Sequence, residues 1–459
     1  MFKYLVKLVR RIVEGILLWP VVVIFLVFLA GLMLCRPGLV LQEGRRIRKS
    51  LKRWSTYAGQ GLCAARNAWW SMFKMAGSFA MLRLLFLLEV LEFIQLATGP
   101  RHVAAGLRRI LVIQYEHFGD LLHSVPVLRA LRKAHPNAEL DVLIGPWCEN
   151  AVRTLPYVNN VWAYTPALEN FHRGQTRGIR SLVGEIRFLG ALRQRAYDLA
   201  VLSYDTNLVD LVLLHGIAPK AWLGTPAPPL YTPPGNANLV TFEPQAYESE
   251  RRVRMLKSIG IDEGNYLLEY PIRLEDQSDA LRILQKEGVT PDRGWVVICP
   301  GSGWSGKNWL PDRFAAVADH LAKTHGLEVL LCGSSGEVGL AQAVRNQMEE
   351  PATILAGMTS WGSLAVLIRD ACLFLGNDSG PMHLAAAFDT PSVTLWGPTF
   401  PAKWAPLGPR HTAVRRVDGC HCFYWHPKAT CLHDHACMKK IRVEEVVQAV
   451  DEKLRFYGS

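Results

Sequence analysis

Arg109-Ile110-Leu111-Val112-Ile113-Gln114-Tyr115-Glu116-His117-Phe118-Gly119-Asp120 is the stretch whose reading decides the fold. The apolar run Ile110 to Ile113 predicts a short strand buried on both faces. A polar loop with one glycine follows, and Leu121 to Lys133 then repeats its apolar residues with a helical period. A strand feeding a helix through a polar loop opens an α/β unit, and that loop lies beyond the carboxyl end of the strand, where such sheets bind ligands. Gly119 permits a tight turn there. Asp120 falls near the helix start, where the dipole favours a carboxylate. On this loop alone it reads first as a plain helix cap, and second as an ionised group facing a cleft.

The alternation continues outward. Leu140 to Ile144, Val158 to Tyr164 and Asp198 to Leu202 read as strands, followed by a proline-rich stretch from Thr225 to Pro234 and a helical run near Glu248 to Ile259. A second set begins at Trp295. Trp295 to Cys299, Glu328 to Cys332, Ala371 to Leu375 and Ser392 to Trp396 read as strands, and Phe314 to His325, Val338 to Met348 and Pro381 to Phe388 as helices. A last helical run, Val443 to Phe456, is long enough to cross back to the first half. The expected architecture is α/β: two Rossmann-like domains facing a cleft, preceded by a membrane helix. The expected divisions are 1–100 (membrane anchor and interfacial helices), 101–285 (first Rossmann-like domain) and 286–459 (second Rossmann-like domain).

Two loops of the second set carry phosphate-binding chemistry. Pro300-Gly301-Ser302-Gly303-Trp304-Ser305-Gly306-Lys307-Asn308-Trp309 offers backbone N–H groups and one cation to a diphosphate. Gly301, Gly303 and Gly306 match G-x-G-x-x-G, but a dinucleotide site needs the helix to open inside the motif, and here the helix pattern starts only near Pro311. Gly376-Asn377-Asp378-Ser379-Gly380-Pro381-Met382-His383 leads straight into a helix. Ser379, Gly380 and the first helical N–H groups make an anion site, with Pro381 suited to the first turn and His383 within reach of the same phosphate. A capped helix with a structural histidine is the alternative. The chain has no Asp-x-Asp pair to hold a metal-bound nucleotide sugar.

At these loops the sequence resembles glycosyltransferase family 9, the ADP-heptose:lipopolysaccharide heptosyltransferases. The similarity runs through Arg109–Ile113 with Gly119-Asp120-Leu121-Leu122-His123, Pro126–Arg132, Pro300-Gly301-Ser302 with Lys307-Asn308-Trp309 and Phe314, Asn377–Ala386, and Trp396-Gly397-Pro398-Thr399. It spans roughly residues 108 to 455. The resemblance implies a GT-B fold and transfer with inversion at the anomeric carbon. It implies Asp120 as catalytic base, Lys307 as the donor-phosphate lysine, Glu337 as the acid near the nucleoside, and Gly301, Ser302, Asp378, Ser379, Gly380 and His383 on the donor. Gly119, His117 and His123 fall on the acceptor side. His117 and Gln114 stand where the family often has a basic residue and an arginine. The implied partners are an ADP-heptose-like nucleotide-diphosphate sugar and a lipid-linked or lipopolysaccharide core acceptor, with no cofactor required for catalysis. A nucleotide-sugar epimerase and a non-catalytic, membrane-tethered nucleotide-sugar-binding protein are the rival readings.

The 459 residues suffice for two or three domains, and half of them are hydrophobic. The formal net charge of +11 suits anionic lipid or phosphorylated ligands. The basic residues are not interleaved with any nucleic-acid-binding module, so no nucleic-acid partner is expected. Many of them flank Ile16 to Leu34, which carries no charge between Glu14 and Arg36. Such a length crosses a bilayer as a helix. The heavier positive flank after it favours a cytoplasmic C-terminal side, which with the resemblance implies catalytic domains on the cytoplasmic face of a bacterial inner membrane, although a re-entrant hairpin bent at Pro20 fits too. Ala68 to Ala97, rich in Trp and Phe but interrupted by charge, reads as interfacial helices or as helices packed on the soluble part. Cys420, Cys422, Cys431 and Cys437 cluster closely enough for a structural zinc site. Reduced thiols or a local disulfide are the alternatives.

Overall fold

The computed structural model describes residues 106–153, 155–164, 179–206, 208–225, 237–239, 246–416, 431 and 434–457. All of them fall in Glu92–Ser459, the second of the two units into which the chain divides. The expected membrane segment at 16–34 and the aromatic-rich run at 68–97 lie outside the described residues. Among the described residues no helix is long and apolar enough to cross a membrane.

Two parallel sheets form the frame. Strands β1 (Arg109–Gln114), β2 (Glu139–Ile144), β3 (Asn160–Ala163), β4 (Leu199–Leu202), β5 (Ala221–Gly224) and β6 (Ala237–Leu239) are ordered β3-β2-β1-β4-β5-β6. Strands β7 (Trp295–Cys299), β8 (Glu328–Leu331), β9 (Thr353–Ile354), β10 (Leu373–Asn377), β11 (Ser392–Trp396) and β12 (His411–Arg415) are ordered β12-β11-β10-β7-β8-β9. The second order is the first repeated. Ile110 pairs with Leu140 on one side and Leu199 on the other, so β1 is central; β7 is placed likewise between β8 and β10. Both faces of the sheets are covered, and β4, β5, β7, β10 and β11 are buried along their whole length. That is why these strands read as unbroken apolar runs rather than alternating ones.

In each sheet the chain reverses its direction of travel between the first strand and the fourth. Crevices at the carboxyl ends of strands at such a switch point are where ligands bind. The loops leaving β1, β7 and β10 all stand there.

Packing bears on two expectations. The Leu274–Lys286 helix packs on the Trp361–Arg369 helix of the second half. Gly362 allows this approach, because a Cβ there would sit 2.0 Å from the Asp276 Oδ1. The Leu274–Lys286 helix closes the span 101–285 expected for the first domain and rests on the second half. The closing helix, Val443–Tyr457, does not return to the first half. It packs on the Pro311–His325 helix and on β10, β11 and β12, burying Val446, Ala449 and Val450. One apolar cluster joins the halves, running from Ile110, Phe118 and Leu122 through Tyr270 to Leu364, Phe374 and Met382.

Candidate functional site

The loops after β1, β7 and β10 border one cleft of about 1310 Å³ between the two sheets. From the first half it is lined by His117, Gly119, Asp120 and Trp147, among others; from the second by Gly301, Ser302, Lys307, Glu337, Asp378, Ser379, Gly380 and His383. Every donor-side residue expected from sequence is there.

Asp120 lies in the first turn of the Phe118–Ala134 helix, whose N-cap is His117, an exposed residue whose side chain makes no capping hydrogen bond. The helix begins three residues earlier than its apolar period indicates. Arg252 Nη2 donates to Asp120 Oδ1 at 2.9 Å, and Arg252 Nη1 donates to the Asp120 carbonyl at 2.6 Å and to Ser124 Oγ at 2.7 Å. This fixes the carboxylate by one oxygen. Arg252 is itself buried and donates through Nε to Glu248 Oε1 at 2.7 Å. Glu248, also buried, meets Arg251 and, at 3.4 Å, Lys403 of the second half. Burial opposes ionisation of Glu248, but these three cations hold its carboxyl well below the carboxylate range. Glu116, whose carboxyl lies deep, is pushed the other way by burial and by the charge of Asp120. Neither Arg252, Glu248 nor Lys403 stands out in the sequence, since each belongs to an ordinary charged helix or turn.

His123 is not a cleft residue: it is fully buried. Its Nε2 lies 3.1 Å from Nδ1 of His383, across the junction of the halves. Tyr247 and Trp404 stand edge-on to its ring. Burial, and then each other's proximity or nearby cations, keep these imidazoles from charging; His383 is lowered to about 4. Among the described residues His123 Nδ1 has no hydrogen-bond partner. A buried bare lone pair costs less than a buried orphan N–H, so the proton of His123 belongs on Nε2. It is then donated to His383 Nδ1, and the remaining proton of His383 sits on Nε2, beside Gly119. The glycine is required by this approach rather than by a turn, since a Cβ on Gly119 would lie 2.4 Å from His383 Cδ2. A second junction contact stacks Phe118 on Trp361, ring centroids 3.6 Å apart.

On the second half, Lys307 Nζ lies 3.0 Å from Asp378 Oδ2. Asn377, fully buried, ties their loops together: its Nδ2 donates to the Pro300 carbonyl at 2.7 Å and its Oδ1 accepts from the Trp309 N–H at 3.2 Å. The helix after the first loop opens at Pro311, beyond Gly306, which removes the dinucleotide-type geometry. Ser379 is the N-cap of the Gly380–Ala387 helix, but its hydroxyl donates to the Asn377 carbonyl instead of capping. Glu337 accepts from the Ser334 N–H and Oγ, both at 2.7 Å, and its carboxylate covers Gly301, where a Cβ would lie 1.9 Å from Oε1. The arrangement offers a carboxylate on one lip of the cleft and a lysine, an imidazole N–H and helix-end N–H groups on the other.

Cys420 and Cys422 lie outside the described residues. Cys437 is buried against Gly397, and Cys431 Sγ accepts from the His435 N–H at 3.2 Å. Cys148 and Cys332 are pushed up to about 12 by burial, in keeping with inert core thiols.

Residues 186–424, just over half of the chain, match the model of glycosyltransferase family 9 (heptosyltransferase). The chain belongs to glycosyltransferase family 9. It is an enzyme, a glycosyltransferase. The span matched covers the loops of β7 and β10 but not Asp120, whose part in the site rests on its place in the cleft. Among curated relatives, lipopolysaccharide heptosyltransferase 2 of Salmonella typhimurium is 27% identical over 328 residues, covering 68% of this chain and 89% of that protein. Lipopolysaccharide heptosyltransferase 3 of Escherichia coli K12 is also 27% identical, over 63% of this chain and 83% of its own. Among solved structures, the family 9 glycosyltransferase of Veillonella parvula superposes with a TM-score of 0.64 at 21% identity, covering 77% of this chain and 99% of that one. The E. coli ADP-heptose lps heptosyltransferase II gives 0.61 at 20% identity, covering 76% and 100%. At those identities the likeness establishes the GT-B-type fold.

Proposed function

We propose that this family 9 enzyme transfers heptose from ADP-heptose to a lipopolysaccharide-type acceptor, with inversion, at the cytoplasmic face of a bacterial inner membrane. The observation that carries the reading is the opposition of Asp120 to the Lys307–Asp378 pair across one cleft, each at a switch point. Inversion needs an acceptor hydroxyl to attack the anomeric carbon from the face opposite the leaving diphosphate. A base must take its proton, and the diphosphate must be stabilised as it leaves. Asp120 serves as base through the oxygen that Arg252 does not hold. Lys307, the His383 Nε2–H and the N–H groups at Ser379 and Gly380 stabilise the leaving diphosphate, and Glu337 faces the nucleoside. His117 and Gly119 border the acceptor. The names of the relatives support the heptose donor and core acceptor. The apolar run at 16–34 supports a membrane anchor, and the four clustered cysteines a structural zinc apart from the chemistry.

The test offers ADP-heptose, UDP-glucose and GDP-mannose to the full chain, with and without a lipopolysaccharide core lacking its heptose. The reading requires ADP release only when ADP-heptose and acceptor are both present, and a product of opposite anomeric configuration. Preference for another nucleotide sugar rejects the donor. Turnover without acceptor favours an epimerase, and binding without turnover a tethered binding protein.

A further inference from the structure

On the far side of the second half from the cleft, two histidines converge on one carboxylate. His320 Nε2 lies 2.8 Å and His325 Nε2 2.7 Å from the same atom, Asp451 Oδ1. One ligand atom from each residue lies within 4.8 Å of the other two. We propose that His320, His325 and Asp451 form a three-ligand site for a zinc-like divalent metal ion, pinning the closing helix to the Pro311–His325 helix.

Four observations carry this. The first is the spacing. Zinc–nitrogen bonds of about 2.0–2.1 Å place tetrahedral ligand atoms roughly 3.3 Å apart, so each histidine–carboxylate contact, now 2.8 or 2.7 Å, has to lengthen by roughly half an ångström around an ion. The second is charge. His325 ends a 15-residue helix, where the dipole favours a cation, and Gly326 closes that helix in the left-handed conformation. Among the described residues Asp451 has no lysine or arginine in ion-pair contact; the two imidazoles are its side-chain hydrogen-bond partners. The third is orientation. Thr324 Oγ1 lies 3.3 Å from His320 Nδ1, so the ring's other nitrogen has a hydroxyl to receive its proton when Nε2 binds metal. The fourth is access. The side chains are 25%, 25% and 32% exposed, enough to admit an ion and leave room for water in the remaining positions. Two imidazoles and one carboxylate suit zinc and its first-row neighbours and not calcium or magnesium, which prefer oxygen.

Position excludes a part in sugar transfer. His325 immediately precedes β8, at the amino ends of the strands, whereas the cleft lies at their carboxyl ends. The site is also separate in chemistry from the clustered cysteines. Residues five apart point about 140° away from each other on an ideal helix, so His-x-x-x-x-His is not a metal signature. The two rings meet because Asp451 is packed between them by the closing helix.

The experiment is a Co2+ titration of the full chain, read by visible absorption and by metal counted after dialysis. Nitrogen and oxygen ligands give weak d–d bands, while thiolates add intense charge-transfer bands, so cobalt on the cysteines is read separately. The expected result is one equivalent with the nitrogen–oxygen spectrum. Altering a group around a bound metal costs about 10–100-fold in affinity, so loss of a direct ligand in His325→Gln or Asp451→Asn should weaken this equivalent at least that much and leave any charge-transfer band unchanged. Wild-type protein without this equivalent overturns the proposal, whatever the variants do. So does an unchanged titration of His325→Gln, a partly exposed change that spares the carboxylate; the triad is then a hydrogen-bonded staple only.

Discussion

Arg252 Nη2 and Asp120 Oδ1 meet at 2.9 Å, and the same guanidinium donates to the Asp120 main-chain carbonyl. A carboxylate held at two points keeps one direction. Its second oxygen, for which the described residues supply no hydrogen bond, is the one left to face an acceptor hydroxyl.

Asp120→Asn keeps the shape and the contact with Arg252 but removes the base. General-base assistance contributes about 10²–10⁴-fold, so turnover should fall by that order. Donor affinity, measured by calorimetry without acceptor, should not change. An Asn variant at near wild-type rate rejects Asp120 as the base, and one that fails to fold returns it to the role of a helix-start residue.

Arg252 also neutralises buried Glu248. Breaking a buried pair by removing one partner costs about 3–5 kcal/mol, because the other charge is left without compensation. Arg251 and Lys403 still neutralise Glu248 in Arg252→Met, so unfolding free energy in urea should fall by less than that, by about 1.5–3 kcal/mol for the charge-assisted hydrogen bonds lost. Loss below about 1 kcal/mol in the single variant removes the pair from the stability of this junction.

What the sequence disclosed and what it withheld follow from range. The strands and the loops after β1, β7 and β10 depend on local pattern, so Asp120, Lys307 and Ser379 could be placed from neighbours alone. Arg252 reaches Asp120 from 132 positions away and Lys403 reaches Glu248 from the other half, and no periodicity encodes such pairs. The resemblance implies an acceptor-side place for His123, but only packing reveals that it points inward to His383. Gly119 looked like a turn residue because close approach of a distant ring leaves no mark on its neighbours.

The His123–His383 pair sets an acid limit. Burial lowers His383 to about 4, and His123 is lowered as well. The unfolded imidazole titrates near 6.5. Between those values the unfolded chain binds a proton that the folded chain refuses, so stability rises with pH. The contribution is complete above about pH 6.5 and shrinks as pH falls towards 4, by on the order of 3 kcal/mol for His383. Unfolding free energies at pH 7 and pH 5 should differ less in His383→Asn than in wild type. Equal differences would take this imidazole out of the acid response.

Two glycines separate rigid from yielding neighbours. A Cβ on Gly119 meets His383, whose ring is buried and held by His123; a Cβ on Gly301 meets the end of the Glu337 side chain, which is half-buried and held by Ser334. Overpacking a fixed site costs about 1–3 kcal/mol. Gly119→Ala should lose that much stability and slow turnover. Gly301→Ala should lose less, about 0.5–1 kcal/mol for the loosened Ser334 cap, and alter donor affinity by moving the Glu337 carboxylate. Equal stability losses in both would show that His383 and Glu337 are held alike.

Lys307 and Asp378 give the sharpest test of the donor side. At 3.0 Å in a largely buried corner, the lysine faces a carboxylate before any donor arrives. A diphosphate entering beside the Ser379–Gly380 loop brings further negative charge. Lys307→Met removes one charge-assisted contact, about 1.5–3 kcal/mol, and also leaves Asp378 unneutralised against the incoming phosphates. The second effect is repulsive and disappears when Asp378 becomes neutral. The double variant Lys307→Met with Asp378→Asn should therefore bind ADP-heptose more tightly than Lys307→Met alone, though less tightly than wild type, with a coupling of about 0.5–3 kcal/mol between the two sites. The advantage should shrink as salt is raised, because repulsion at a cleft open to solvent is screened. A double variant that binds more weakly than the single would mean that Asp378 accepts a hydrogen bond from the donor itself, and the carboxylate would then belong to recognition rather than to holding the lysine.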